Sequence, residues 1–184
     1  MVIKIGITGN IASGKSQVEK YLKNKNFVVY DTDKIAHSIL DDIKEFYGYD
    51  VFINGKIDRK KLGDLVFNNP DLKKKLEDII HPKVKAEILK LFEKHRNEKY
   101  IFISVPLLFE AGFEDLFDKI LLVSVDRDIQ LERLMNRNSL TKKDALLRIN
   151  SQIPQEEKIE KSDFIVNNNS TIENLYKQLG KIIL

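Results

Sequence analysis

Ile3, Ile5 and Ile7 alternate with Lys4 and Gly6 near the start of the chain, the period-two pattern of a β-strand. Further on the spacing changes. Val18, Tyr21 and Leu22 recur at three- and four-residue intervals and predict a helix. Phe27-Val28-Val29-Tyr30 is a second short strand that stops at Asp31-Thr32-Asp33, and Ile35, Ile39 and Ile43 predict the helix after it. Gly48 and Gly55 mark turns in the stretch from Phe46 to Ile57. From Asp58 to about Arg96 the pattern is largely helical. Asn69-Pro70-Asp71 supplies a cap, an N-terminal proline and a first-turn acid. Leu72, Leu76, Ile79 and Ile80 follow as an apolar face, which His81-Pro82 interrupts before Val84, Ile88, Leu91 and Phe92 resume it.

The second half reads differently. Residues 100–105 and 119–125 are continuous apolar runs of strand length, as parallel strands covered on both faces require. Asp126-Arg127-Asp128 opens a helix carrying Leu131, Leu134 and Met135, and the short strand Phe164-Ile165-Val166 precedes a last helix over 171–183. Five strands separated by helical segments predict an α/β fold, a parallel sheet with helices on both faces.

Composition narrows the picture. A chain of 184 residues with 42% hydrophobic residues suits one α/β domain with modest insertions. Its 31 basic residues are interspersed with 28 acidic ones, and a net charge of +3 makes no electrostatic case for nucleic acid. The absence of cysteine excludes disulfides, thiolate metal sites and cysteine nucleophiles. No apolar run approaches the roughly 20 residues of a membrane span, and the N-terminal apolar segment leads into a loop rather than resembling a signal peptide. A cytoplasmic protein is expected.

The strongest chemical signal is Gly9-Asn10-Ile11-Ala12-Ser13-Gly14-Lys15-Ser16, directly after the first strand. It matches the phosphate-binding pattern G-x-x-x-x-G-K-[ST] at every specified position. Its glycines let the backbone curl so that successive N–H groups face inward. Lys15 brings a positive charge to the outer phosphates of a nucleoside triphosphate, and Ser16 offers a hydroxyl to Mg²⁺. The helix expected to begin there turns its positive end toward the phosphates.

Asp31 and Asp33 leave the second strand together, and side chains two apart on an extended chain point the same way. A carboxylate beyond the carboxyl end of a strand can accept a hydroxyl proton or organise water around Mg²⁺; equally, either aspartate can cap the next helix. Arg133 and Arg137 share a helix face with Gln130, and Arg148 follows on the next helical segment. Such a cluster suits a lid closing over a triphosphate, or a solvated basic face. His37 and His95 are expected on helix surfaces. His81 fits a structural place at the break before Pro82 or the lining of a pocket, and no histidine is spaced for a metal.

Within the phosphate-loop proteins, GTPases are set aside because no aspartate has glycine three residues on and no Asn-Lys-x-Asp occurs. Hydrolytic ATPases lose ground because the strand at Tyr100 runs into Val105-Pro106-Leu107-Leu108-Phe109-Glu110 rather than ending in an acid. A small-molecule kinase remains, with residues 58–96 available to hold the acceptor. Shikimate- or nucleoside-type kinases share this pairing of loop and carboxylate. A nucleotide-binding regulatory or nucleic-acid-associated protein, with the arginines as a phosphate-backbone patch, is the alternative from another class.

The chain closely resembles dephospho-coenzyme A kinases. The likeness runs through Gly6-Ile7-Thr8-Gly9 with Ser13-Gly14-Lys15-Ser16, Asp31-Thr32-Asp33-Lys34-Ile35-Ala36-His37, Ile57-Asp58-Arg59, His81-Pro82, residues 105–110 and Gln130 to Arg137. Arg148, Gln152, Lys158, Asp163 and Asn167 continue it. Asn10, Ala12 and Asn169 stand where that family usually has glycine, and Ser162 where alanine is common. The resemblance implies a three-layer P-loop kinase fold with a five-stranded parallel sheet, a helical acceptor-binding insertion at about 58–96 and a short helical lid at about 136–153. It implies ATP-dependent phosphorylation of the ribose 3′-hydroxyl of dephospho-coenzyme A, with Mg²⁺ as cofactor. Gly9, Ala12, Ser13, Gly14, Lys15, Ser16, Gln17, Arg133 and Arg148 are then the expected ATP-binding residues, Lys15, Asp33 and Arg137 the catalytic ones, and Ser16 the metal ligand. Asp33, Arg59, His81, Leu107 and Glu110 are the expected acceptor contacts. ATP and dephospho-coenzyme A are the expected partners, without nucleic acid, membrane or an obligatory protein partner.

Overall fold

A computed structural model describes residues 1–40, 51–53, 56–67 and 69–182. The expectations at Ile43, Phe46, Gly48 and Gly55 lie outside the described residues. The chain forms two compact units, residues 1–31 with 95–184 and residues 32–94.

The first unit is built on a five-stranded, all-parallel sheet in the order β2-β5-β1-β6-β7. Its strands are β1 (Ile3–Thr8), β2 (Val28–Asp31), β5 (Tyr100–Ser104), β6 (Lys119–Ser124) and β7 (Phe164–Asn167). β1 lies centrally, pairing Ile5 with Phe102 on one side and Ile7 with Leu121 on the other. Alternation then decides the faces. Ile5, Ile7, Phe102, Leu121 and Val123 point to one side, where Val18 and Leu22 of α1 (Lys15–Asn24) and Leu175 and Leu179 of α8 (Ile172–Ile182) cover them. On the other side Gly6 faces Leu108 and the Phe117 ring so closely that a Cβ would meet Leu108 Cδ1 at 2.7 Å.

The β6–β7 edge is fastened by Asp163. Its N–H donates to the Ile120 carbonyl at 3.0 Å, Oδ2 accepts from the Ile120 N–H at 2.8 Å, and Oδ1 accepts from Lys119 Nζ at 2.7 Å. Partial burial opposes the charge on Asp163, but Lys119 and the Ile120 N–H outweigh it and hold the carboxyl below its ordinary range. α5 (Arg127–Asn138) and α6 (Lys142–Asn150) pack through Leu134, Ala145 and Ile149. The short α7 (Gln155–Glu160), which the hydrophobic pattern does not announce, follows them.

The second unit contains α2 (Thr32–Leu40), a short antiparallel pair β3 (Phe52–Ile53) and β4 (Lys56–Ile57), α3 (Arg59–Phe67) and α4 (Pro70–Lys94). α2 and α3 both pack on α4, around Leu40 and Leu62 with Leu76, Ile79 and Ile80 against them. Asn69 caps α4 as its sequence signature predicts, accepting from the Leu72 N–H at 3.1 Å.

Three expectations are corrected. The helix does not break at His81-Pro82, because α4 runs unbroken from Pro70 to Lys94. Apolar residues on both sides of the proline, Ile79 and Ile80 before it and Val84 and Ile88 after it, are held in partly or fully buried positions. That burial offsets the lost hydrogen bond, a cost of about 3 kcal/mol in an isolated helix. Asp31 and Asp33 do not share an extended segment, since Asp31 ends β2 and α2 already begins at Thr32. His95 lies past the end of α4, half-buried, with Nε2 hydrogen-bonded to Tyr30 Oη at 2.9 Å. Among the described residues no helix is long and apolar enough to cross a membrane.

Candidate functional site

The loop between β1 and α1 takes its shape from close approach and from two backbone turns. A side chain at Gly9 would come within 2.6 Å of the Val123 carbonyl oxygen. Gly14 stands at φ 92 as the N-cap of α1, and a Cβ there would collide with the Asn168 amide. The Ser13 N–H donates to the Asn10 carbonyl at 3.0 Å and the Gln17 N–H to that of Gly14 at 2.9 Å. These two amides are thus engaged in forming the loop. Lys15 Nζ reaches back across it to the Gly9 carbonyl at 3.1 Å.

Electrostatically the loop suits an anion. The first turn of α1 carries no acid, Lys15 is its first residue, and the positive end of the helix opens onto the loop. Ser16 is exposed at this junction. Thr8 Oγ1, Asn10 Oδ1 and Ser13 Oγ are buried without a hydrogen-bond partner among the described residues. Unsatisfied polar atoms gathered at one loop are a mark of a ligand or water site.

Ala12 adopts φ 61, the left-handed region that costs a non-glycine residue about 1–2 kcal/mol. Alanine therefore holds with strain a conformation that glycine would adopt without it. Distant residues brace it. Asn168, after β7, donates from Nδ2 to the Ser13 carbonyl at 2.8 Å. Asn10 Nδ2 donates to the Ile153 carbonyl at 3.1 Å, and Ile11 and Ala12 pack against the α5–α6 cluster.

The arginines differ among themselves. Arg133 is half-buried on α5, and its Nη1 is buried without a partner among the described residues. Arg137 is exposed near the end of α5, with Nε donating to Asn138 Oδ1 at 2.8 Å, and Arg148 is exposed on α6.

Glu110 and Leu107 follow β5. Leu107 is exposed. Glu110 Oε1 accepts from Lys158 Nζ at 2.7 Å and from the Ile153 N–H at 3.1 Å, while its Oε2 is buried without a partner among the described residues. Lys158 is fully buried. Lys158 and Gln152 carry no role from the sequence beyond the family pattern, and Asn168 is not singled out there; a lysine on a helix surface and a lysine inside an ion pair look alike in sequence.

In the second unit, Asp33 is exposed in the first turn of α2, His81 is half-buried in α4, and Arg59 opens α3 with its side chain outside what is described. Among the described residues no three histidines, aspartates or glutamates are grouped to hold a metal ion.

Comparison with known proteins extends these observations over the whole chain. The dephospho-CoA kinase family profile matches residues 3–174. A dephospho-CoA kinase of Fusobacterium nucleatum is 44% identical over 187 residues, 98% of this chain and 96% of that protein. The structure of the dephospho-CoA kinase from Campylobacter jejuni is similar with a TM-score of 0.74 at 35% identity, covering 100% of this chain and 96% of that one. A shikimate kinase from Bacteroides thetaiotaomicron shares the fold, with a TM-score of 0.62 at 14% identity and 98% of each chain covered.

Proposed function

The chain belongs to the dephospho-CoA kinase family, and from that premise we propose that it transfers the γ-phosphoryl group of ATP to the ribose 3′-hydroxyl of dephospho-coenzyme A, giving coenzyme A and ADP in the last step of coenzyme A synthesis. The observation that carries this reading is the match to named dephospho-CoA kinases along essentially the full length of both chains. Phosphoryl transfer of this kind depends on positioning and on electrostatic stabilisation rather than on a covalent intermediate.

Lys15 and the backbone from Ala12 to Gln17 hold the triphosphate in this reading, within the loop that Gly9 and Gly14 allow to curl. Ser13 and Gln17 contribute chiefly shape, since their amides are engaged in turns. Arg133 binds the nucleotide, which is supported by its Nη1, buried without a partner among the described residues. Arg137, with Arg148, stabilises charge developing on the transferring group. Residues 136–153 act as the lid. Asp33 orients or deprotonates the acceptor hydroxyl, the helical insertion at 58–96 holds the acceptor, and Arg59, His81 and Leu107 are proposed as contacts to it. Glu110 contributes through its ties to Lys158 and Ile153.

Mg²⁺ fits the exposed Ser16 hydroxyl, because this ion takes few protein ligands and completes its shell with water and substrate phosphates. When bound it neutralises charge on the β- and γ-phosphate oxygens. The reaction is placed in the cytoplasm, and a chain without cysteine makes no demand on an oxidising compartment.

A coupled assay of ADP release tests the proposal with dephospho-coenzyme A, coenzyme A, shikimate and nucleosides side by side. Turnover is expected with dephospho-coenzyme A alone. Release at the full rate without an acceptor, or with shikimate, would overturn it.

A further inference from the structure

We propose that Gln130 and Gln152 are positioning residues that clamp a single residue of the phosphate loop, Ile11, through the peptides on either side of it and so hold Ala12 in the conformation nucleotide binding requires. Gln130 is buried on α5 and donates from Nε2 to the Ile11 carbonyl at 2.8 Å. Gln152, beyond the end of α6, accepts at Oε1 from the Ile11 N–H at 2.6 Å. Both backbone polar groups of Ile11 are thereby fixed by side chains more than a hundred residues away in sequence.

The residue they steady stands directly before the strained one. Ala12 sits at φ 61, where glycine would rest without penalty and alanine does not. The strain is of the same order as the return from one or two neutral hydrogen bonds, so neither glutamine alone offsets it comfortably and both together do. The clamp thus accounts for how alanine is tolerated in this loop.

Placement adds a second consequence. Gln130 lies one turn before Arg133, and Gln152 four residues after Arg148. The helix pair α5–α6 is therefore tied at both ends to the same loop residue, while Leu134, Ala145 and Ile149 pack against the Ile11 and Ala12 side chains between them. Movement of the loop relative to the arginine-bearing helices would break polar and apolar contacts together. The clamp sets these arginines in register with the loop, and it rests on the kinase reading only in taking the loop's ligand to be a nucleotide.

The test measures MgATP affinity by calorimetry without any acceptor, alongside thermal melting. Gln152→Met and Gln130→Met keep side-chain length and remove the hydrogen bond; each is expected to weaken MgATP binding about fivefold, the equivalent of one hydrogen bond. Gln152→Glu, whose carboxylate still accepts from the Ile11 N–H, should recover most of that loss. The decisive arm adds Ala12→Gly. Relief of strain predicts a larger gain in affinity from Ala12→Gly in the Gln152→Met background than in the wild-type background. Equal gains in both backgrounds, or Gln152→Met binding MgATP like the wild type, would overturn the clamp. The half-exposed Gln152 carries the test if the buried Gln130→Met protein does not fold. Failure of the wild-type protein to bind MgATP would instead strike the nucleotide reading itself.

Discussion

The two units of this chain solve the problem of holding residues in place by opposite means. In the unit built on the parallel sheet, the phosphate loop is tied by side chains from far along the sequence, with Asn168 on Ser13, Gln152 and Gln130 on Ile11, and Asn10 on Ile153. In the unit of residues 32–94, a set of side-chain hydrogen bonds and ion pairs joins near neighbours in sequence. Asn69 caps α4, Asp58 bonds the Lys61 N–H, Ser38 bonds Ile35, and Lys73 and Lys90 pair with glutamates three or four residues away. Apolar packing of α2 and α3 on α4 completes that unit. The difference follows from what each must hold. Phosphate oxygens are met by fixed donors, and small misplacements there are costly in rate, whereas helix packing supplies surface without fixing single polar atoms.

Lys158 anchors one of these long-range ties. This fully buried ammonium depends on Glu110, which also receives the Ile153 N–H, and Ile153 in turn receives Asn10 from the loop. Lys158→Met leaves a largely buried carboxylate unpaired and should destabilise the protein by about 3–5 kcal/mol in chemical denaturation. Replacing both partners, as Lys158→Met with Glu110→Leu, should recover most of that stability, because a well-packed apolar pair avoids the desolvation of two charges. A loss below ~1 kcal/mol for the single variant would place the pair with ordinary surface salt bridges, and the long-range bracing of the sheet unit would lose its strongest member.

A second pair of variants sharpens the contrast by taking one residue from each unit. Lys15→Ala removes the phosphate contact proposed for this residue and should weaken MgATP binding as well as turnover. Asp33→Asn keeps the side chain's size and removes its basicity, so MgATP should still bind while transfer falls by about 10²-fold, or about 2.7 kcal/mol in the barrier. Calorimetry and single-turnover kinetics read the two effects apart. Near-normal transfer by Asp33→Asn would leave Asp33 a first-turn residue of α2, and Asp31 at the end of β2 would be the next carboxylate to test.

Legibility divides along the same line. The phosphate loop, the five parallel strands and the Asn69 cap are local patterns, each complete within a few residues, and they could be read from the chain. The turn from strand to helix between Asp31 and Asp33 was lost to a one-residue boundary, which changes the side-chain period from two to three or four and with it the direction of Asp33. Pro82 misled because its local penalty is real; only the burial of residues on both sides of it keeps α4 whole. The braces on Ile11 and Ser13 have no local signature at all. A glutamine bonded to a loop more than a hundred positions away has the same spelling as one facing water.

The smallest effect falls on the second unit and tests its locality directly. Asn69 accepts from the Leu72 N–H at 3.1 Å, satisfying one of the free amides at the start of α4. Asn69→Ala should therefore cost about 1 kcal/mol of stability. Asn69→Asp, which keeps the acceptor and adds a charge favourable at a helix N-terminus, should cost less. Because this cap is a contact between neighbours in sequence, neither change should alter MgATP affinity. A shift in that affinity as large as the fivefold expected from the Gln152 variant would show that polar contacts in residues 32–94 reach the nucleotide after all, and the division between local capping and long-range bracing would not hold.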